Sequence, residues 1–395
     1  MDLFEKCYKD TRAEEAIAAG YYPYFKAIQS GAGSTVMIDG KEFIMIGSNN
    51  YLGLTQDPRI KEAAIDALDT FGSGCTGSRF LNGTLTLHEE LEEKLADFVH
   101  KEACLVFSTG FQVNQGTISS VVGKDDLIFG DRANHASIVD GCRLSFGKSY
   151  KYKHNDTEAL ERLLQTHSNN SGGKLIVSDG VFSMEGDIVD LPKITKLAKK
   201  YKARLMIDDA HSCGVLGKYG RGTGEHFDLE DDIDLIMGTF SKSFASLGGF
   251  IAGEKKVVEF IKHTARSLIF SASMPPSAVA TVNTALDIIK AEPERLDNLW
   301  KNTKKMKTAF DDMGFNTGNT QTPIIPIMIG EDMHTFGFWK LLFEQGIFTN
   351  PVISPAVEPG HGLLRTSYMA THTDAELDRV LEIFNRLGKK FGLIN

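Results

Sequence analysis

The chain has 395 residues, 42% of them hydrophobic and 24% charged, with a formal net charge of −9. That is ordinary globular composition, with apolar material for a large core and room for two or three domains, and the acidic balance without any Lys/Arg block gives a nucleic-acid role no electrostatic support. No uninterrupted apolar run approaches the roughly 18 residues of a membrane span, the polar N-terminus does not read as a secretory leader, and five scattered cysteines without a CxxC pair suggest reduced thiols in a cytoplasmic protein.

Residues 1–50 read as an N-terminal arm, a helix followed by two short strands around VMIDGKEFIMIG. From about residue 55 to 275 short apolar runs alternate with segments of helical spacing. The candidate strands are ACLVFS (103–108), DLIFG (126–130), KLIVSDG (174–180), ARLMIDD (203–209), DLIMGTF (234–240) and GGFIAG (248–253). Helical periodicity marks 87–100 and 191–202 between them. Continuous apolar strands alternating with helices imply an α/β domain, over residues 51–290, built on a mostly parallel sheet covered on both faces. A long charged helix, roughly 278–313, then leads into a smaller α+β domain over 291–395. That domain contains TPIIPIMIG, a helix near 333–345, GIFTNPVIS, LLRTSYMA and a final helix from Thr373.

Parallel sheets bind ligands at the carboxyl ends of their strands, so the residues following each run carry the chemistry. After 103–108 comes STGF, where the N–H groups of Gly110 and Phe111 open a helix and form a candidate anion site. His135 follows the run at 126–130, and VFSMEGD follows 174–180. Asp208 and His211 follow 203–209; Thr239, Ser241 and Lys242 follow 234–240. Singly each is ordinary: the Asp208–Asp209 pair could cap a helix, and His135 could be a satisfied core histidine. Together they match the needs of pyridoxal 5′-phosphate: a lysine for the aldehyde, an aspartate for the pyridinium nitrogen, a ring to stack, and hydroxyls and amides for phosphate. A metal site has no motif such as HExxH, and a nucleotide-binding oxidoreductase lacks GxGxxG after a strand.

The stretches SNNYLGL (48–54), GSRFLNGT (77–84), DRANHASIVDGCRLS (131–145), DGVFSMEGDIVDLP (179–192), DDAHSCGVLGKYGRGTGEHF (208–227) and GTFSKSFASLGGF (238–250) resemble the α-oxoamine synthases. These are fold-type I pyridoxal-phosphate transferases, and the likeness spans about residues 20–390. Members join an amino acid to an acyl-CoA with loss of carbon dioxide and CoA. Among the branches, the chain most resembles the serine palmitoyltransferases, particularly the soluble bacterial ones. The branches making 8-amino-7-oxononanoate or 2-amino-3-ketobutyrate are alternatives, and a non-catalytic partner subunit is a remote one, since such a subunit should lack the lysine.

The resemblance implies substrates L-serine and a long-chain acyl-CoA, the product 3-ketosphinganine, and a homodimer with its active site at the subunit interface. It also implies roles. Lys242 would hold the cofactor and remove the substrate α-proton; Asp208 would pair with the ring nitrogen. His211 would bond the phenolic oxygen, and His135 would stack on the ring and help hold the substrate carboxylate. Thr239, Ser241 and the amides of Gly110 and Phe111 would bind phosphate, and Ser271 would reach the other subunit's phosphate. Ser183 would lie beside the cofactor, Arg365 would engage the substrate carboxylate, and Asn49 would line the same pocket. Many relatives have tyrosine where this chain has Phe111, so only its backbone is assigned.

Overall fold

The computed structural model describes residues 2–395. Its first strands, β1 (Thr35–Ile38) and β2 (Lys41–Met45), form an antiparallel hairpin. Asp39 and Gly40 close it, both at positive φ, as a tight hairpin turn requires. The large sheet follows, made of β3 (Ala103–Phe107), β4 (Leu127–Asp131), β5 (Lys148–Tyr152), β6 (Lys174–Asp179), β7 (Arg204–Asp208), β8 (Leu235–Thr239) and β9 (Gly249–Gly253). The spatial order is β3-β9-β8-β7-β6-β4-β5. Only β9 runs against its neighbours, β3 and β8, so the other strands all point their carboxyl ends toward one edge.

Six of these strands fall within a residue or so of the predicted runs, and β5 does not. Its sequence, KSYKY, leaves three of five positions exposed at the rim of the sheet, so no continuous apolar run announces it. Alternation along the central strands fills two separate cores. Leu105, Ile128, Val177, Met206 and Met237 pack on one face, and Val106, Phe129, Ile176, Ile207 and Ile236 on the other. Both faces are therefore dry, the reason the strands read as unbroken apolar runs. Crossover helices at Gly110–Val121, Ala136–Leu144, Thr157–Thr166 and Leu191–Tyr201 supply the covering layers.

The helix expected over 278–313 is two helices, Pro276–Ala291 and Glu294–Met313. Pro293, which has no N–H to continue the first helix, marks the break. The smaller sheet has β10 (Ile324–Gly330), β12 (Asn350–Val352) and β13 (Gly362–Ser367) in the order β10-β13-β12, all antiparallel. The short β11 (Ile347–Phe348) instead pairs in parallel with β2. Helices Asp332–Glu344 and Asp374–Phe391 cover these strands, the second capped reciprocally by Thr373 and Glu376. The N-terminal hairpin thus joins the C-terminal layer: Ile44 and Ile46 pack into one core with Phe310, Phe338 and Phe384. Among the described residues no helix is long and apolar enough to cross a membrane.

Candidate active site

The carboxyl ends of β3, β4, β6, β7 and β8 converge on one cavity of about 280 Å³. At the end of β3 the Thr109 hydroxyl accepts the Gln112 N–H and caps helix Gly110–Val121. The helix N-terminus therefore opens into the cavity at Gly110 and Phe111. Gly110 is there for space: a Cβ on it would sit 2.7 Å from Thr239 Oγ1 and 3.0 Å from Thr239 Cβ. Thr239, the last residue of β8, is bonded to Ser241 Oγ at 3.0 Å and donates to the Gly248 carbonyl at 3.1 Å. Two hydroxyls and a helix N-terminus with free N–H groups thus meet at one point, the donor set that a phosphate dianion needs.

After β4, His135 caps helix Ala136–Leu144. Its Nδ1 lies 2.7 Å from Ser137 Oγ, and its backbone N–H donates to Asp179 Oδ2 at 2.7 Å. Phe111 stands edge-on to the imidazole, centroids 6.3 Å apart. Burial pushes the His135 pKa down. Asp179 ends β6 and is buried, and desolvation, reinforced by neighbouring Asp208, pushes its carboxyl well above the usual range.

Asp208 ends β7. Its Oδ2 accepts from Asn114 Nδ2 at 2.7 Å and its Oδ1 from the Ala210 N–H at 3.0 Å. Adjacent Asp209 does not line the cavity and takes the Thr223 hydroxyl and N–H; no helix begins after the pair, so neither aspartate is a local helix cap. His211 Nδ1 lies 2.7 Å from the hydroxyl of fully buried Tyr51. Burial, with the positive charges of Lys242 and Arg365 nearby, drives the His211 pKa well down, and burial pushes the Tyr51 pKa up. The phenol therefore donates and the neutral imidazole accepts.

Lys242 follows β8 in a loop that folds back on itself. Phe240 N–H bonds the Gly248 carbonyl and Ser246 N–H bonds the Phe240 carbonyl, both at 2.9 Å. Gly248 makes the return at φ 116°, a conformation that glycine alone adopts readily. The lysine is half-buried and faces the cavity. Desolvation pulls its pKa down to about 8 against the attraction of Asp208, and Arg365 adds to the depression. At neutral pH a usable fraction is the free amine, the state a carbonyl-binding lysine needs.

Ser183 also lines the cavity, and its carbonyl accepts from Arg365 Nε at 2.5 Å. Arg365, on β13, also donates to Asn49 Oδ1 at 2.9 Å, so the smaller layer reaches the site through one guanidinium. Of the residues expected from the sequence, Asn49, Arg365 and Ser271 do not line this cavity: Arg365 meets it only through Ser183, Asn49 is bonded to Arg365, and the Ser271 hydroxyl accepts from Gln112 Nε2 at 2.9 Å. Sequence pattern alone does not single out Tyr51, Asn114, Ser137 or Asp179. Tyr51 sits within the quoted SNNYLGL and Asp179 at the end of a predicted strand, whereas Asn114 lies one turn into a helix with no local signal.

Beneath the sheet edge His154 sits between Asp131, 3.2 Å from Nδ1, and Asp187, 2.9 Å from Nε2. Desolvation opposes its charge, but the two carboxylates prevail and raise its pKa to about 10. The clamp ties β4 to the segment carrying Ser183.

A depressed lysine, a buried carboxylate, a stacking imidazole and a phosphate cradle that even one methyl group would crowd fit pyridoxal phosphate and define a fold-type I enzyme of that cofactor. The chain belongs to the aminotransferase class I and II family, whose model matches residues 41–384. It is 54% identical to a serine palmitoyltransferase from Sphingobacterium spiritivorum, over 95% of this chain and 94% of that one. An 8-amino-7-oxononanoate synthase from Thermoanaerobacter pseudethanolicus is 44% identical, over 97% of both chains. Two solved structures superpose at a TM-score of 0.96 over 100% of both chains: a Sphingomonas wittichii serine palmitoyltransferase, 37% identical, and a serine palmitoyltransferase with pyridoxal phosphate, 35% identical.

Proposed function

We propose that this chain catalyses the pyridoxal-phosphate-dependent condensation of L-serine with palmitoyl-CoA or a similar long-chain acyl-CoA, giving 3-ketosphinganine, CoA and carbon dioxide, the first step of sphingolipid synthesis. The observation that carries the chemistry is Lys242, whose amine is depressed to about 8 in a cavity shared with Asp208, His135 and His211. The serine palmitoyltransferase relatives, closer in sequence than the 8-amino-7-oxononanoate synthases, support the choice of substrates. So does the cavity mouth, where Phe111 and Leu247 are both apolar and solvent-exposed, suited to an alkyl chain and poorly suited to a carboxylate-ended one.

When bound through Lys242, the cofactor supplies an electron sink for negative charge developing at serine Cα. Gly110 and Phe111 N–H groups with Thr239 and Ser241 hydroxyls would hold its phosphate, and Asp208 would hold a proton on the ring nitrogen. His211 would donate to the phenolic oxygen from Nε2, since its Nδ1 is taken by Tyr51. His135 would cover the ring. Arg365 and Asn49 hold the serine carboxylate, with Ser183 alongside. The Lys242 amine, once free, removes the proton from serine Cα. A carbon–carbon bond forms to the thioester carbonyl as the carbon–sulfur bond breaks, and CoA leaves as the thiolate, which takes a proton from solvent. The carboxylate carbon then departs as carbon dioxide, and Lys242 returns a proton to Cα.

The working unit in this reading is a cytoplasmic homodimer, with Ser271 serving the partner's phosphate. Exposed Phe80, Leu81 and Phe270 flank Ser271 on segments joined by the Ser273 N–H to Gly77 carbonyl bond of 3.0 Å. The test is CoA release by the cofactor-loaded protein with palmitoyl-CoA and L-serine, beside acetyl-CoA with glycine and pimeloyl-CoA with L-alanine. Serine-dependent release from palmitoyl-CoA, absent in Lys242→Ala, is expected. Release only with a short thioester and another amino acid would overturn the substrate assignment.

A further inference from the structure

A run of hydrogen bonds beneath the cavity has taken no part in those steps. It connects Asp208 at the end of β7, Asn114 on helix Gly110–Val121, and Ser137 and His135 at the start of helix Ala136–Leu144. Asn114, fully buried, sends one proton of Nδ2 to Asp208 Oδ2 at 2.7 Å and the other to Ser137 Oγ at 2.8 Å. An amide nitrogen has protons to give and no lone pair to offer. The reverse placement of the amide would set Oδ1 against a carboxylate oxygen, and as it stands Oδ1 has no partner. Asp208 therefore dictates which way Asn114 faces.

The direction then propagates. Ser137 Oγ receives the Asn114 proton, which leaves its own proton free, and His135 Nδ1 lies 2.7 Å away. The Ser137 backbone N–H also points at Nδ1, from 3.3 Å. With two donors aimed at it, Nδ1 is the lone-pair nitrogen. Nε2, on the far side of the ring, meets no protein acceptor among the described residues, and the imidazole lines the cavity. Burial, which pushes the His135 pKa down, keeps the ring neutral and makes the choice of tautomer matter.

We infer that Asn114 and Ser137 are positioning residues that lock neutral His135 as its Nε2–H tautomer, so that the ring presents a hydrogen-bond donor to the carboxylate of the amino-acid substrate. The substrate-facing half rests on the proposed function; the proton order rests only on the geometry. In consequence, the aspartate that serves the ring nitrogen also sets the polarity of the group on the opposite side of the cavity.

Neutron diffraction from the perdeuterated, cofactor-loaded protein tests the proton order without reference to any substrate. Deuterium on His135 Nε2, none on Nδ1, and the Ser137 hydroxyl turned toward Nδ1 are expected. Deuterium on Nδ1 overturns the inference. The substrate-facing half is tested with Ser137→Ala, which leaves the Asn114–Asp208 bond in place. The KM for L-serine should rise about fivefold, as expected for one neutral hydrogen bond, with kcat and cofactor affinity within twofold and recovery in Ser137→Thr. An unchanged KM, or a fall confined to kcat, overturns that half. Should another amino acid be the one turned over, KM is read for that substrate, and the neutron result stands independently. If Ser137→Ala does not fold, the neutron map of the unmodified protein decides the proton order, and Ser137→Cys, a weaker donor to Nδ1, carries the same KM reading.

Discussion

Replacing Gly110 by alanine should separate cofactor binding from folding. Gly110 opens helix Gly110–Val121 with an ordinary helical φ, so alanine carries no backbone strain there, and its higher helix propensity is worth up to about 1 kcal/mol. The added methyl would lie 2.7 Å from Thr239 Oγ1, 3.0 Å from Thr239 Cβ and 3.2 Å from Met237 Cε. Thr239 must turn away, giving up its bonds to Gly248 and Ser241, each worth about 1 kcal/mol. Propensity gained and hydrogen bonds lost leave the folded state within about 1–2 kcal/mol of the unmodified protein. The phosphate fares worse. It loses at least one charge-assisted bond from Thr239, about 2 kcal/mol, which is roughly a 30-fold weaker cofactor affinity. The assay is titration of the cofactor-free protein with pyridoxal phosphate, followed by the change in visible absorbance, alongside urea denaturation of the cofactor-free form. Cofactor affinity within twofold of the unmodified protein, with stability also unchanged, would refute the placement of the phosphate between Gly110 and Thr239.

Three further outcomes follow from the site's electrostatics. The rate at which cofactor-free protein takes up pyridoxal phosphate should rise with pH through about 8, the Lys242 value, and level off above it; Arg365→Gln should move that midpoint upward, and a rate flat between pH 6 and 10 would count against a depressed amine. His154 gains stability from a folded pKa of about 10 against 6.5 for the free side chain, a contribution complete below about 6.5 and lost as pH rises through 10. His154→Gln should thus cost about 2 kcal/mol at pH 6 and progressively less as pH rises from about 6.5 to 10 in urea denaturation; a deficit independent of pH would exclude the two-carboxylate clamp. Tyr51→Phe leaves His211 Nδ1 buried without a donor and should cost about 1–2 kcal/mol while altering the absorbance of bound cofactor; no change in either would mean that the phenol does not orient the imidazole.

The parts of this molecule written locally are readable from the sequence, and the parts written by packing are not. The central strands announce themselves because both faces of the sheet are buried, and the strand-end rule then brings Gly110, His135, Ser183, Asp208 and Lys242 to one edge before any coordinates are considered. The edge strand β5 stays silent because its exposed lysines break the apolar pattern. The break at Pro293 is written in the residue itself, but the charge pattern runs on through it and masks the join between the two helices. Asn114 is a different case. Its position one turn past Gly110 looks like any helical polar residue, and only the approach of β7 and helix Ala136–Leu144 makes it a bridge between Asp208 and Ser137. Tyr51 likewise gains meaning only when β7 delivers His211 to it.

The pairing of β2 with β11 also has a consequence for synthesis. Ile44 emerges early from the ribosome, yet its sheet partner is Ile347, and Ile44 and Ile46 share a core with Phe384. On the large sheet, β3 has no neighbour except β9. The layer holding β2 therefore cannot close until β11 has been made, and the free edges of β2 and β3 wait for partners that emerge much later, β9 for β3 and β11 for β2. Such late, long-range closure slows folding and leaves strand edges open to neighbouring chains. Nascent chains stopped short of β11 should be holdase clients, and a modest C-terminal truncation should be more damaging to yield in the cell than its distance from Lys242 suggests.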